Sequence, residues 1–209
     1  MRGALIVFEG TDRSGKSTQT RNFTNALQAA GIAVAEHSPW SFPHRTSPVG
    51  QVINAYLTNK THLHERALHL LFSANRWEKA SQIRQALRRG ETVVLDRYAY
   101  SGIAYSVAKG LPLTWCKCAD EGLPAPDVVV FLHLSPEAAA KRADYGSERY
   151  ENKHMQTAVA KVFEQLRTEQ WLVVDADADE ATVLNRILDS AMPTVAKARS
   201  TPHIASLWN

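Results

Sequence analysis

One nine-residue stretch, Gly10-Thr11-Asp12-Arg13-Ser14-Gly15-Lys16-Ser17-Thr18, constrains this chain more than any other. It follows the apolar run 4–8 (ALIVF) and has the Gly-x4-Gly-Lys-Ser spacing of a phosphate-cradling loop. Such a loop needs a buried strand in front and a helix behind. Gly10 and Gly15 permit backbone conformations that a side chain blocks. Successive N–H groups and the positive end of the helix then face an anion. Lys16 brings a mobile charge to the β- and γ-phosphates, and Ser17 offers a hydroxyl to Mg²⁺. The stretch predicts a nucleotide site on an α/β fold.

The rest of the chain agrees with that frame. Continuous apolar runs at 32–37, 92–96, 128–134 and 171–175 suit buried parallel strands. Helical patterns lie between them at 17–30, stopping at Gly31, and at 157–169. The pattern at 63–88 is long enough to predict a break near Trp77. Ser135-Pro136-Glu137 reads as a helix start with Pro at the first position. The alternation predicts a parallel five-stranded sheet with helices on both faces, in a P-loop NTPase-like fold. The segments 38–48 and 122–127 are turn-rich, and 193–209 has no clear period.

At 209 residues, one domain over 1–209 is expected, with a core that needs no disulfide or metal. A net charge of +3 suits small anionic substrates and is too weak to argue for nucleic acid. Cys116 and Cys118, in WCKC, lack the spacing of a zinc site and read as reduced thiols. No signal-like or membrane-spanning run is visible, so a cytoplasmic location is expected, with nuclear or organellar presence left open.

The residues inside the loop carry the chemistry. Phosphoryl transfer is catalysed by positioning and by neutralising charge on the transferring group. Arg13 sits where a guanidinium could reach that group, a contribution worth about 10³–10⁵ in rate. A carboxylate beside a polyphosphate is repelled, so Asp12 must accept from a substrate hydroxyl or hold an arginine in place. Asp96 closes the apolar run 92–96, where an acid near Mg²⁺ is usual, the alternatives being an acid that pairs with Arg97 or caps a turn.

Five blocks together, GTDRSGKST (10–18), FPHRT (42–46), HLLFSANRW (69–77), LDRYAYSG (95–102) and SERYEN (147–152), resemble the thymidylate kinase family, in its eukaryotic-type branch. They stand in the family's order over nearly the whole chain. The resemblance implies a nucleoside monophosphate kinase that moves the γ-phosphate of ATP to dTMP with Mg²⁺, giving ADP and dTDP on the route to dTTP. It leaves dUMP open as a second acceptor and implies a homodimer joined through helices, without nucleic-acid or membrane partners. It implies catalytic roles for Asp12, Arg13, Lys16, Asp96 and Arg97. Its ATP-binding set is Gly10, Arg13, Ser14, Gly15, Lys16, Ser17 and Thr18, with Arg142, Gly146 and Arg149 in a short lid near 142–151. Its metal positions are Ser17 and Asp96, the latter directly or through water. Its acceptor set is Asp12, Phe42, Arg45, Phe72, Arg76, Arg97, Ser101, Gly102, Tyr105 and Tyr150.

The chemistry of each residue suits its implied place. Arg45 and Arg97 offer two planar forks to a phosphate dianion. Phe72 and Arg76, four apart, share a helix face, so a ring can stack on one while the other donates to pyrimidine O4. Phe72 also fits a core stripe with Leu68 and Leu71. Three competing functions are weaker. A GTPase needs Asn-Lys-x-Asp, and Asn59-Lys60-Thr61-His62 lacks the acid. A deoxynucleoside kinase needs a base for a neutral hydroxyl, for which Glu36 is a candidate. A non-catalytic nucleotide-binding module would show damage to the loop or its basic partners, which are all present.

Overall fold

The computed structural model describes residues 1–135, 138–139, 149–150 and 152–208. Strand β1 (Leu5–Glu9) is buried along its whole length because the sheet is covered on both faces. After the phosphate loop comes α1 (Lys16–Ala29). Then follow β2 (Trp40–Ser41), α2 (Pro48–Leu57), α3 (Glu65–Arg88) and β3 (Val93–Asp96). The chain continues through α4 (Ala99–Ala108), α5 (Leu113–Cys118), β4 (Val128–His133), α6 (Lys153–Leu166), β5 (Trp171–Asp175) and α7 (Glu180–Ser200).

The five strands are parallel in the order β2-β3-β1-β4-β5. Alternation along β1 divides the core. Ile6 and Phe8 pack with Phe23, Leu27, Ile187 and Val195 beneath α1 and α7. Leu5 and Val7 pack with Ile83, Leu87 and Tyr98 on the other face. Chain order reverses at β1, which lies between β3 and β4. The crevice outside the carboxyl ends of the strands at such a switch point is where ligands bind in open α/β sheets. The phosphate loop leaves β1 at that point.

Four boundaries differ from the sequence expectation. Residues 32–37 are not a strand: Val34 makes only an isolated bridge to Thr92, and β2 is the pair Trp40–Ser41. Glu36 and His37 are exposed at this sheet edge and His37 takes a φ of 60°, so the chain turns there. Helix α3 runs unbroken through Trp77, a surface side chain whose indole donates to Ala119 O at 3.0 Å. Helix α6 begins earlier than expected, where Asn152 accepts from Met155 N at 2.9 Å. Helix α7 continues past Pro193 because Ala191, Val195 and Ala198 keep one face buried. The tail then docks, with Leu207 buried against the 122–125 turn.

Ser135 accepts from Ala138 N at 3.1 Å as a helix start requires, while 136 and 137 lie outside the described residues. Cys116 is buried and Cys118 exposed in α5, without a disulfide. Among the described residues, no helix is long and apolar enough to cross a membrane.

Candidate active site

The phosphate loop is built as its glycines demand. Gly10 has a φ of 149°, and a Cβ there would lie 2.6 Å from Leu132 O. Gly15, at a φ of 91°, is the N-cap of α1. Lys16 Nζ donates to Thr11 O at 2.6 Å and to Ser14 Oγ at 3.2 Å, closing the loop on itself. Burial and the neighbouring Arg97 charge push the Lys16 ammonium down to about 7, against the pull of Asp12, Asp96 and Glu9. Arg13 is half-buried within the loop at a φ of 63°, and Thr18 is half-buried in the first turn of α1. Ser17 Oγ donates to Asp96 Oδ2 at 2.5 Å, which joins the loop to the end of β3.

Asp12 is the hub of the site. Its Oδ1 accepts from Arg97 Nη2, and its Oδ2 from Tyr105 Oη at 2.8 Å and Gln156 Nε2 at 2.6 Å. Gln156 also accepts from the Asp12 N–H at 2.8 Å. Burial alone would raise this carboxyl, but Arg97 and Lys16 outweigh it and hold the group below the usual carboxylate range. Asp12 therefore does hold an arginine. Arg97 is fixed further by Nη1, which donates to Gly10 O and Ser101 Oγ, each at 3.1 Å.

All ten residues expected at the acceptor line one cleft beside the loop. The cleft holds about 670 Å³ of atom-free space, its open mouth included. Phe42 packs against Tyr98, and Arg45 reaches the mouth, where its Nη1 donates to Asn54 Oδ1 at 2.7 Å. Deeper in, Phe72 and Arg76 come from one face of α3. Arg76 is only 2% exposed, and its bidentate partner Asp120 is 0% exposed. Gly102 is a close-approach glycine: a Cβ there would stand 2.7 Å from Arg76 Nη1.

The lid expectation is met least. Arg142 and Gly146 lie outside the described residues. Arg149 is described, and its guanidinium is engaged with α2 and the following loop rather than with the phosphate loop. It stacks 4.0 Å from the centre of the Tyr56 ring and donates to Tyr56 O at 2.9 Å and Thr61 O at 3.0 Å. Tyr150 beside it does enter the cleft and accepts from Lys109 Nζ at 2.9 Å.

Several supporting side chains escaped the sequence reading: Glu9, Asn75, Lys109, Asp120 and Gln156. Asn75, buried on α3, accepts from His44 N at 2.7 Å and donates to His44 O at 3.2 Å, and so holds the segment carrying Arg45. The available signal was a polar residue on the apolar face of a helix, which marks Asn75 and Gln156. Nothing local marks Asp120.

A phosphate loop and an arginine-bearing cleft beside it, both at the carboxyl edge of a parallel sheet, are what an enzyme needs to pass a phosphoryl group between nucleotides. With this sheet order they define a nucleoside monophosphate kinase, an ATP-dependent phosphotransferase. The family model for thymidylate kinase matches residues 8–187. Curated thymidylate kinases from Danio rerio and Homo sapiens are 44% and 43% identical to this chain, each match covering 99% of this chain and 98% of the relative. The one from Arabidopsis thaliana is 44% identical over all of this chain and 78% of its own. A solved thymidylate kinase from Candida albicans superposes with a TM-score of 0.84 at 35% identity, over 98% of both chains. The chain belongs to the thymidylate kinase family.

Proposed function

We propose that this protein transfers the γ-phosphoryl group of ATP to dTMP, giving ADP and dTDP for dTTP supply. The observation that carries the reading is the position of Arg97. It lines the acceptor cleft while hydrogen-bonding to Gly10 O and Asp12 of the phosphate loop. A phosphate held by Arg97 and Arg45 therefore faces one held by the loop. Arg13 spans donor and acceptor as charge builds on the transferring oxygens. Lys16 exchanges Thr11 O and Ser14 Oγ for the donor's β- and γ-phosphates. No general base is required, because the acceptor phosphate is already ionised near neutral pH.

In this reading, Asp12 accepts the 3′-hydroxyl of the acceptor sugar. A carboxylate has about four lone-pair sites, and Oδ1 is used only by Arg97 among the described residues. Phe72 stacks on the ring, Arg76 donates to O4, and Tyr105 stands towards the ribose 2′ position. Removal of one methyl from a base costs only about 1–3 kcal/mol, so dUMP is a weaker second acceptor. Ser17 and Asp96 suit Mg²⁺: they are hard oxygen donors already 2.5 Å apart at the donor end of the site. The ion would neutralise charge on the donor phosphates. Exposed Leu70 and Trp77, with Ala74 between them on α3, suit the expected homodimer.

Coupled ADP release with dTMP, dUMP, dCMP and thymidine as acceptors tests the reading. dTMP should lead, dUMP follow, and dCMP be very poor because its exocyclic amine confronts Arg76. Comparable kcat/KM for dCMP and dTMP would refute the assignment of the base.

A further inference from the structure

Glu9 has no part in the chemistry described so far, yet it is a fully buried acid directly before the phosphate loop. Its Oε1 accepts from Tyr98 N at 2.9 Å and Ser101 N at 3.1 Å. Tyr98 is the N-cap of α4 and makes no side-chain cap of its own, so strand β1 supplies the missing cap. The second carboxylate oxygen, Oε2, accepts from Ser101 Oγ at 2.5 Å. A serine has a single hydroxyl proton, and here Glu9 takes it. Ser101 Oγ is left with lone pairs only, and one of them receives Arg97 Nη1 at 3.1 Å.

We propose that Glu9 is a positioning residue for the acceptor phosphate: by holding the Ser101 hydroxyl proton, it turns that oxygen into an acceptor that aims Arg97. The inference rests on the reading of Arg97 as a phosphate reader. Removing the negative charge without changing the shape should break the relay. In Glu9→Gln, the amide oxygen can still cap α4, but its NH2 group faces Ser101 and donates to it. The serine proton then turns towards Arg97, donor against donor. Burial raises the Glu9 carboxyl above its usual range despite the Ser101 contacts.

The test compares binding of dTMP and of thymidine by calorimetry. They share base and sugar and differ in the phosphate. Glu9→Gln should weaken dTMP by about tenfold or more, the size of one lost bond to a charged group, and change thymidine by less than about twofold. Adding Ser101→Ala to Glu9→Gln should recover part of the dTMP loss, since it removes the misdirected hydroxyl. A purely structural role for Glu9 predicts equal losses for both ligands and no recovery. Either result, or an unchanged dTMP affinity, overturns the proposal. If Glu9→Gln does not fold, Ser101→Ala alone decides: a loss confined to dTMP supports the relay, and equal or absent losses overturn it. Arg97→Ala separates this idea from its premise. If Arg97→Ala leaves the preference for dTMP over thymidine undiminished, the phosphate reading of Arg97 has failed. If Arg97→Ala shrinks the preference while Glu9→Gln keeps it in full, the relay has failed.

Discussion

Arg76 and Asp120 are joined by two hydrogen bonds, Nε to Oδ1 at 3.0 Å and Nη2 to Oδ2 at 2.6 Å, with both side chains shut away from water. They lie 44 residues apart in the chain. A charge this deep is tolerable only while its partner is present. Asp120→Ala should therefore destabilise the fold by about 3–5 kcal/mol. Urea denaturation measures this directly, and a loss below about 1 kcal/mol, the ordinary range for an exposed pair, would show that water reaches Arg76.

The same pair makes Gly102 demanding. The far end of an arginine usually swings away from an intruding methyl, but here Asp120 pins it. Gly102→Ala should raise KM for dTMP at least about tenfold, because a misplacement of about an ångström in a site is costly. The KM for ATP should be unchanged. Steady-state kinetics with each substrate varied in turn decides it.

Arg13 is the only arginine within the phosphate loop. Arg13→Ala should lower kcat by at least about 10²-fold, below the usual effect of an arginine on phosphoryl transfer, while ATP still binds. Single-turnover rates set beside ATP titrations provide the check, and near-normal turnover would remove Arg13 from the chemistry.

The Lys16 ammonium, held down to about 7 in the ligand-free site, should return upwards when phosphates surround it. ATP binding must then take up a proton in the window above that value: about half a proton at pH 7, approaching one near pH 8.5 and little near pH 6. Calorimetry in buffers of different ionisation enthalpy reads this number. A pH-independent zero would mean that Lys16 is already fully charged.

What was legible in the sequence, and what was not, follows from how far each contact reaches along the chain. The phosphate loop could be read whole because its parts are contiguous and its glycines have few other uses. The acceptor residues could be listed because each lies within a recognisable block. Their supports could not. Asp120, Gln156 and Glu9 act across 44, 144 and 92 residues respectively, and each taken alone is an ordinary polar side chain. The run 32–37 misleads for a related reason: an apolar stretch at a sheet edge looks like one in the middle until its neighbours are known. Trp77 looks like a breakpoint only because the apolar pattern is long, and nothing local interrupts the helix.

That uninterrupted helix, α3, has a consequence for selectivity. Asn75, which grips the segment bearing Arg45, and Arg76, at the inner end of the cleft, are consecutive on one rigid rod. The span from the innermost wall to the mouth is thereby set by helical geometry and cannot stretch to suit its guest. The cleft should then act as a caliper: with dTMP and dGMP compared as acceptors in coupled ADP release, the longer purine nucleotide should be turned over far more slowly.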